Sequence, residues 1–219
     1  MIEFEKIYRW VIVIFSLYGI LVSLPGVVIA ITIHEWIKCL TAHRLGDATL
    51  KGQGRLAPNP LKHIDPLGAI FMLIFGYGWA NPARVSAFRL RSGKKDMIVV
   101  FLMPFLANII LGAIFILAAQ FFILNFFDVL VTDDAVAYAA LAVLRRAAVL
   151  NIGFALFNLI PLYPLDGINL VAAFNPILAA KINQREKILQ IVLAFGIILG
   201  LATIVFEPIT RAIVGVMLF

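Results

Sequence analysis

Long apolar runs alternate with short polar, charge-bearing breaks along this chain. Ile7 to Ile33 is apolar apart from Arg9 and a few small polar residues, and it runs directly into His34. Pro25-Gly26 interrupts that run. The pattern predicts either one long kinked helix ending near Leu45 or a hairpin turned at Pro25, with His34 at membrane depth either way. Gly46 to Pro66, GDATLKGQGRLAPNPLKHIDP, is basic, with glycines and prolines at turn positions that break helices. A loop or small β-hairpin at the membrane surface is expected there. Leu67 to Trp79 is apolar again, but about 13 residues make only roughly 20 Å of helix, which suits a short re-entrant segment better than a span. Met97 to Phe127 predicts a central helix. Ala135 to Leu165 predicts another that runs on into PLDG, with Arg145 and Arg146 near its start, placed to snorkel to the interface. Ile188 to Phe206 is the last clear span. The expected organisation is one membrane domain built from segments 7–45, 46–96, 97–127, 135–167 and 188–206.

Composition sharpens the class. The 219 residues are 63% apolar and only 14% charged, where a soluble domain is about half apolar and a quarter charged. The mean hydropathy is +1.04. The fold class expected is an all-α polytopic membrane protein. No small-residue cleavage site follows the first apolar run, so a removable signal peptide is not expected. Cys39 is the only cysteine, which excludes an internal disulfide and a multi-cysteine zinc site. The net charge of +6 fits loops held on the cytoplasmic side and not a nucleic-acid partner. The positive-inside rule then puts the basic segment from Arg44 to Lys95 in the cytoplasm, the acidic connection around Asp133 outside, and the loop around Arg185 in the cytoplasm again. That topology requires that Leu67 to Trp79 does not cross.

Ionisable residues within apolar runs are costly and are usually kept for function. Here they are His34, Glu35, Lys38 and Asp166. His34 and Glu35 begin a H-E-x-x-H pattern, in which two histidines one helical turn apart bind zinc and the glutamate serves as general base. The fifth position is Lys38, a cation on the same helix face as His34. His43 falls on the opposite face, and Cys39 points well away from His34, so neither replaces the missing ligand. Asp166 follows Pro161 and Pro164, and a chain broken in this way can bend a carboxylate toward another helix. Asn108 and Asn158 have a plainer reading as helix-to-helix hydrogen bonds, and His34 one as a buried polar residue.

Four stretches together resemble the site-2 protease family of intramembrane zinc metalloproteases, in its compact form without a PDZ domain. HEWIKCLTAHRLGD is similar to the family's H-E-x-x-H-A helix followed by L-G-D. GRLAPNPLKHIDPLG resembles its G-R-x-x-x-N-P-x-x-H-x-D-P-x-G loop. MPFLANIILGA resembles the G-P-x-A-N segment, departing from it at Met103 and Phe105-Leu106, and FNLIPLYPLDG resembles F-N-x-x-P-x-x-P-L-D-G. The blocks occur in the family's order. The resemblance implies a helical core in the bilayer that hydrolyses transmembrane segments with zinc. His34 would be the first zinc ligand, Glu35 the catalytic base and Asp166 the last protein ligand. Asn158, Asn108 and His63 would lie around the substrate.

Lys38 stands where that resemblance requires the second zinc ligand. A protonated amine repels zinc, so metal affinity and hydrolysis are expected to be lost. Its ammonium is instead expected to pair with Asp166 and Glu35 in place of the metal charge, since two buried carboxylates without a cation are costly. The function expected is a pseudoprotease that binds membrane segments or partner proteins. The alternatives are an active metalloprotease with a substitute ligand such as His63, and a small transporter or channel, for which the chain lacks internal repeats.

Overall fold

The computed structural model describes residues 17–131 and 134–218, so the stretch from Ile7 to Ser16 and the acid at Asp133 lie outside the described residues. Helix α1, Leu17–Arg44, is continuous through Pro25, which selects the single helix over the hairpin. Helix α5, Lys94–Asn125, and helix α7, Ala135–Phe157, join α1 as the helices long and apolar enough to cross a membrane. The protein is an all-α polytopic membrane protein, and no strand forms among the described residues.

Small residues let the three spans approach closely. A Cβ on Gly26 of α1 would stand 2.8 Å from the Ala147 Cα of α7, and one on Gly112 of α5 would stand 2.4 Å from Ile152 Cγ1. Van der Waals contact of this kind is what holds helices together where lipid supplies no hydrophobic contrast. Val27, Ala30 and Ile31 of α1 pack with Leu150 and Phe154 of α7. Leu117, Phe121 and Leu124 of α5 remain exposed, as a lipid-facing surface allows.

Between α1 and α5 the chain forms α2, Thr49–Gly52, α3, Pro60–His63, and α4, Pro66–Phe75. The dipeptides Asn59-Pro60 and Asp65-Pro66 explain why helices appear where a loop or hairpin was expected. Asn59 accepts the Leu61 N–H at 3.0 Å and Asp65 accepts the Gly68 N–H at 2.8 Å, each with proline at the first helical position. The hairpin is reduced to one antiparallel bridge, Ile64 with Ala80. That bridge closes a loop around α4, so the apolar segment leaves and returns at one level. Gly76, at φ +80°, makes the turn back. A 3-10 turn, Ala87–Arg89, precedes α5.

Helix α6, Phe127–Val131, follows α5. Helix α7 stops at Phe157, and the NLIPLYPL stretch that was expected to continue it runs as irregular turns instead. Its prolines cannot sustain a helical ladder. The shorter helix changes the place of two residues: Arg145 and Arg146 are the eleventh and twelfth of its 23 residues, mid-span and not near an end. Arg146 turns inward, its Nε donating to Ser23 Oγ at 3.0 Å. After α8, Gly167–Phe174, and α9, Pro176–Asn183, come α10, Glu186–Ile198, and α11, Leu201–Leu218. These last two bend by 65° at Leu199-Gly200, so Ile188 to Phe206 is a broken span and not a straight helix. Gly200, at φ +76°, supplies the backbone conformation of the break. Arg84 pairs with Glu186 at 3.2 Å, which puts the basic loop before α5 and the start of α10 at the same end of the bundle.

Candidate active site

One turn of α1 carries His34, Glu35 and Lys38, and all three are 1% exposed. Asp166, 3% exposed, comes to them from the segment between α7 and α8. The irregular segment after α7 folds back on the end of that helix. The Leu165 N–H bonds the Leu162 carbonyl at 2.8 Å, and the Gly167 N–H bonds the Asn158 carbonyl at 2.7 Å. A Cβ on Gly167 would lie 2.2 Å from the Leu159 oxygen, so only glycine allows this return. Asp166 stands inside it, aimed at α1.

The four side chains form one connected cluster. The His34 Nε2–H donates to Asp166 Oδ2 at 3.0 Å. The Lys38 ammonium lies 2.6 Å from the other Asp166 oxygen, Oδ1, and touches Glu35 Oε1. The remaining Glu35 oxygen, Oε2, accepts the Ala83 backbone N–H at 3.0 Å and Arg55 Nη2 at 3.3 Å. All four carboxylate oxygens therefore already face a cation or an N–H. Two carboxylates are matched by two cations, Lys38 and Arg55. Phe154 stands edge-on to the His34 ring at 5.1 Å, and Phe101 lies 5.8 Å from the Lys38 nitrogen, which keeps the cluster in apolar surroundings. One ligand atom from each of His34, Glu35 and Asp166 falls within 4.8 Å of the others, a spacing on the scale of a metal site.

The segment that delivers the Ala83 N–H is fixed from behind. Arg55 Nη2 also donates to the Asn81 carbonyl at 2.6 Å. Further along, buried Asp47 accepts Arg89 Nε at 2.8 Å, while the Arg91 N–H bonds the Leu45 carbonyl at 2.9 Å. Burial works to raise the Asp47 carboxyl, but its hydrogen bonds from Thr49 and Arg89 outweigh this and hold it below its ordinary value. A cleft of about 170 Å³ lies next to the cluster, between Pro82–Val85 and Tyr163–Leu165, with Arg84 and Glu186 on its lining.

The other residues singled out from the sequence take different places. His63 is fully buried, and its Nε2–H donates to the Ala57 carbonyl at 3.0 Å. Burial lowers its imidazole below the ordinary value, partly opposed by that carbonyl. It stands outside the group of donors that converge. Asn108 donates to the Ala30 carbonyl at 3.1 Å, tying α5 to α1 one turn before His34. Asn158 donates to the Phe154 carbonyl at 2.8 Å within its own helix and receives Gly167 on its backbone. Cys39 is buried and His43 lies near the Asp47 carbonyl, both away from the converging donors.

Arg55 is the site residue that the sequence reading passes over. It sits in GRLAPNP among other basic loop residues, and a loop arginine reads as a solvated, cytoplasmic charge. Its one local mark is its place in the turn after α2, four residues ahead of the Asn59 helix cap.

The profile of peptidase family M50 matches residues 123–203. The chain is 32% identical over 189 residues to the Bacillus subtilis (strain 168) protein named "Putative zinc metalloprotease YwhC", covering 84% of each chain. No solved structure matches it significantly.

Proposed function

The chain belongs to peptidase family M50, the site-2 proteases of the membrane, and from that premise we propose that its metal position is held by the Lys38 ammonium, leaving a protein that binds transmembrane segments without cutting them. The family's chemistry rests on zinc, which makes a bound water nucleophilic near neutral pH. The observation that carries the proposal is the engagement of all four carboxylate oxygens by Lys38, Arg55, His34 and the Ala83 N–H. Each carboxylate oxygen that a metal would use is taken, and the cluster is neutral as it stands. Adding a dication beside two existing cations in an apolar pocket would leave two uncompensated positive charges, so this donor set does not fit a resident zinc. Glu35 has both oxygens engaged by cations and an N–H, which competes with its receiving a proton from a water.

What the pocket retains is shape. The cleft between Pro82–Val85 and Tyr163–Leu165 reaches the residues next to both carboxylate carriers, and its rim is an exposed ion pair of little energetic weight. An extended segment from an unwound transmembrane helix fits that entry. The basic loops at this end of the bundle orient it toward the cytoplasm by the positive-inside rule.

A second reading, an active metalloprotease, rests on the convergence of His34, Glu35 and Asp166 within 4.8 Å. The family assignment leaves the transporter or channel reading without a supporting observation. Metal analysis of the purified protein, with a cleavage assay on a single-span substrate, separates the two that remain. The proposal expects no stoichiometric zinc and no cleavage, with zinc regained in Lys38→His. Stoichiometric zinc together with cleavage abolished by Glu35→Gln would establish the enzyme.

A further inference from the structure

Helix α7 buries or half-buries every residue from Ala139 to Phe157 except one, and that one is an arginine. A membrane span normally shows lipid its apolar residues and hides its charges. Arg145 reverses this. It is the eleventh residue of the helix, about 15 Å from Ala135 at 1.5 Å per residue, and a hydrocarbon core is about 30 Å thick. That places it near mid-depth, deeper than an arginine side chain reaches by snorkelling.

Among the described residues no acid pairs with this charge. Among the described residues no hydrogen bond or ion pair reaches Arg145, whereas its neighbour Arg146 donates to Ser23 Oγ and faces Glu207 of α11. Glu207 is itself in contact with Arg211. Glu207 is thus already shared by two other arginines. Ala142 and Val149, one turn to either side of Arg145, carry short side chains and are half-buried, so a helix can approach the α7 backbone at this level.

We infer that the face of α7 around Arg145 is a docking site for a partner transmembrane helix carrying a carboxylate at mid-depth. A buried Asp or Glu on such a helix and the Arg145 guanidinium each need an opposite charge in hydrocarbon, and each supplies the other's. This face lies about 20 Å along the helix from Asn158, and the inference stands whether or not the active site cuts peptides.

The experiment uses the full-length protein in phosphatidylcholine vesicles and measures energy transfer to a synthetic single-span Leu/Ala helix with one central Asp. The Asp helix should bind about tenfold more tightly than the same helix with Leu at its centre. Arg145→Gln should abolish that gain, and Arg145→Lys should keep most of it. Because Arg145 is exposed and unbonded, the Gln variant should elute as the parent does in size-exclusion chromatography. Equal binding of the Asp and Leu helices overturns the proposal, as does a gain that survives Arg145→Gln. So does a result in which Arg145→Gln changes only the retention of phosphatidylglycerol, which would identify a lipid headgroup as the occupant. Loss of self-association alone in that variant would assign the face to a second copy of the chain and overturn it too.

Discussion

The Lys38 ammonium lies 2.6 Å from Asp166 Oδ1, joining α1 to the segment that returns from the end of α7. This cation thus holds the α1 helix against a loop whose buried carboxylate would otherwise keep only the neutral His34 N–H. Removing the cation while keeping the acids should therefore cost more than an ordinary core substitution. Lys38→Met is expected to destabilise the protein by about 3–5 kcal/mol, as for a broken buried ion pair. Lys38→Met combined with Asp166→Asn should recover much of that loss, since Glu35 keeps Arg55 as its cation. Unfolding in a mild detergent, followed by helix content, reads both.

Arg55 should behave as part of the same unit. It bridges Glu35 and the Asn81 carbonyl, so Arg55→Met leaves Glu35 with one cation and frees the segment that presents the Ala83 N–H. The expected loss is again about 3–5 kcal/mol. The effects of Lys38→Met and Arg55→Met should be strongly non-additive, because both act on Glu35. A double-mutant cycle on thermal stability checks this, and simple additivity would show that the two cations serve separate structures.

Gly167→Ala tests how Asp166 is delivered. The added methyl would meet the Leu159 and Ile160 carbonyl oxygens at 2.2 and 2.4 Å, so the return loop must open. Introduced into the Lys38→His background, it should abolish the zinc binding that Lys38→His regains while leaving the spans folded. Zinc stoichiometry and helix content measured on the same sample distinguish a displaced Asp166 from a collapsed fold.

The loop behind the site should loosen in acid. The Asp47 carboxyl is held below its ordinary value in the folded protein, so the stability it lends is present at neutral pH and is lost as pH falls through that lowered value. The transition is expected below about pH 4, the ordinary range for an aspartate. Hydrogen exchange at the Arg91 amide, bonded to the Leu45 carbonyl, should speed up there. In Asp47→Asn that step should vanish, with exchange already faster at neutral pH.

Most of the helical core was legible from hydropathy, because a span must satisfy its backbone internally and shows itself as an apolar run. His34, Glu35, Lys38 and Asp166 were legible for a related reason, since charge inside such runs stands out. Limits lay where apolar character does not specify shape. NLIPLYPL is as apolar as the helix before it, yet its prolines stop the helix at Phe157 and thereby move Arg145 and Arg146 to mid-span. Ile188 to Phe206 hides a bend at Leu199-Gly200, where Gly200 takes a positive φ. Arg55 was missed because charge in a loop carries no signal of burial. Its burial is a product of tertiary folding.

A metal enzyme's folded population rises and falls with free metal, because metal that binds only the native state adds its binding energy to stability. On the proposed reading, the closed cluster of Lys38, Arg55, Glu35 and Asp166 removes that dependence. Its charges are supplied by the chain and arrive with translation. On this reading the protein holds the same shape in a zinc-starved cell as in a replete one, and strong chelators should leave its melting temperature where it was. The pocket proposed here would then be a receptor whose shape does not follow the supply of free metal.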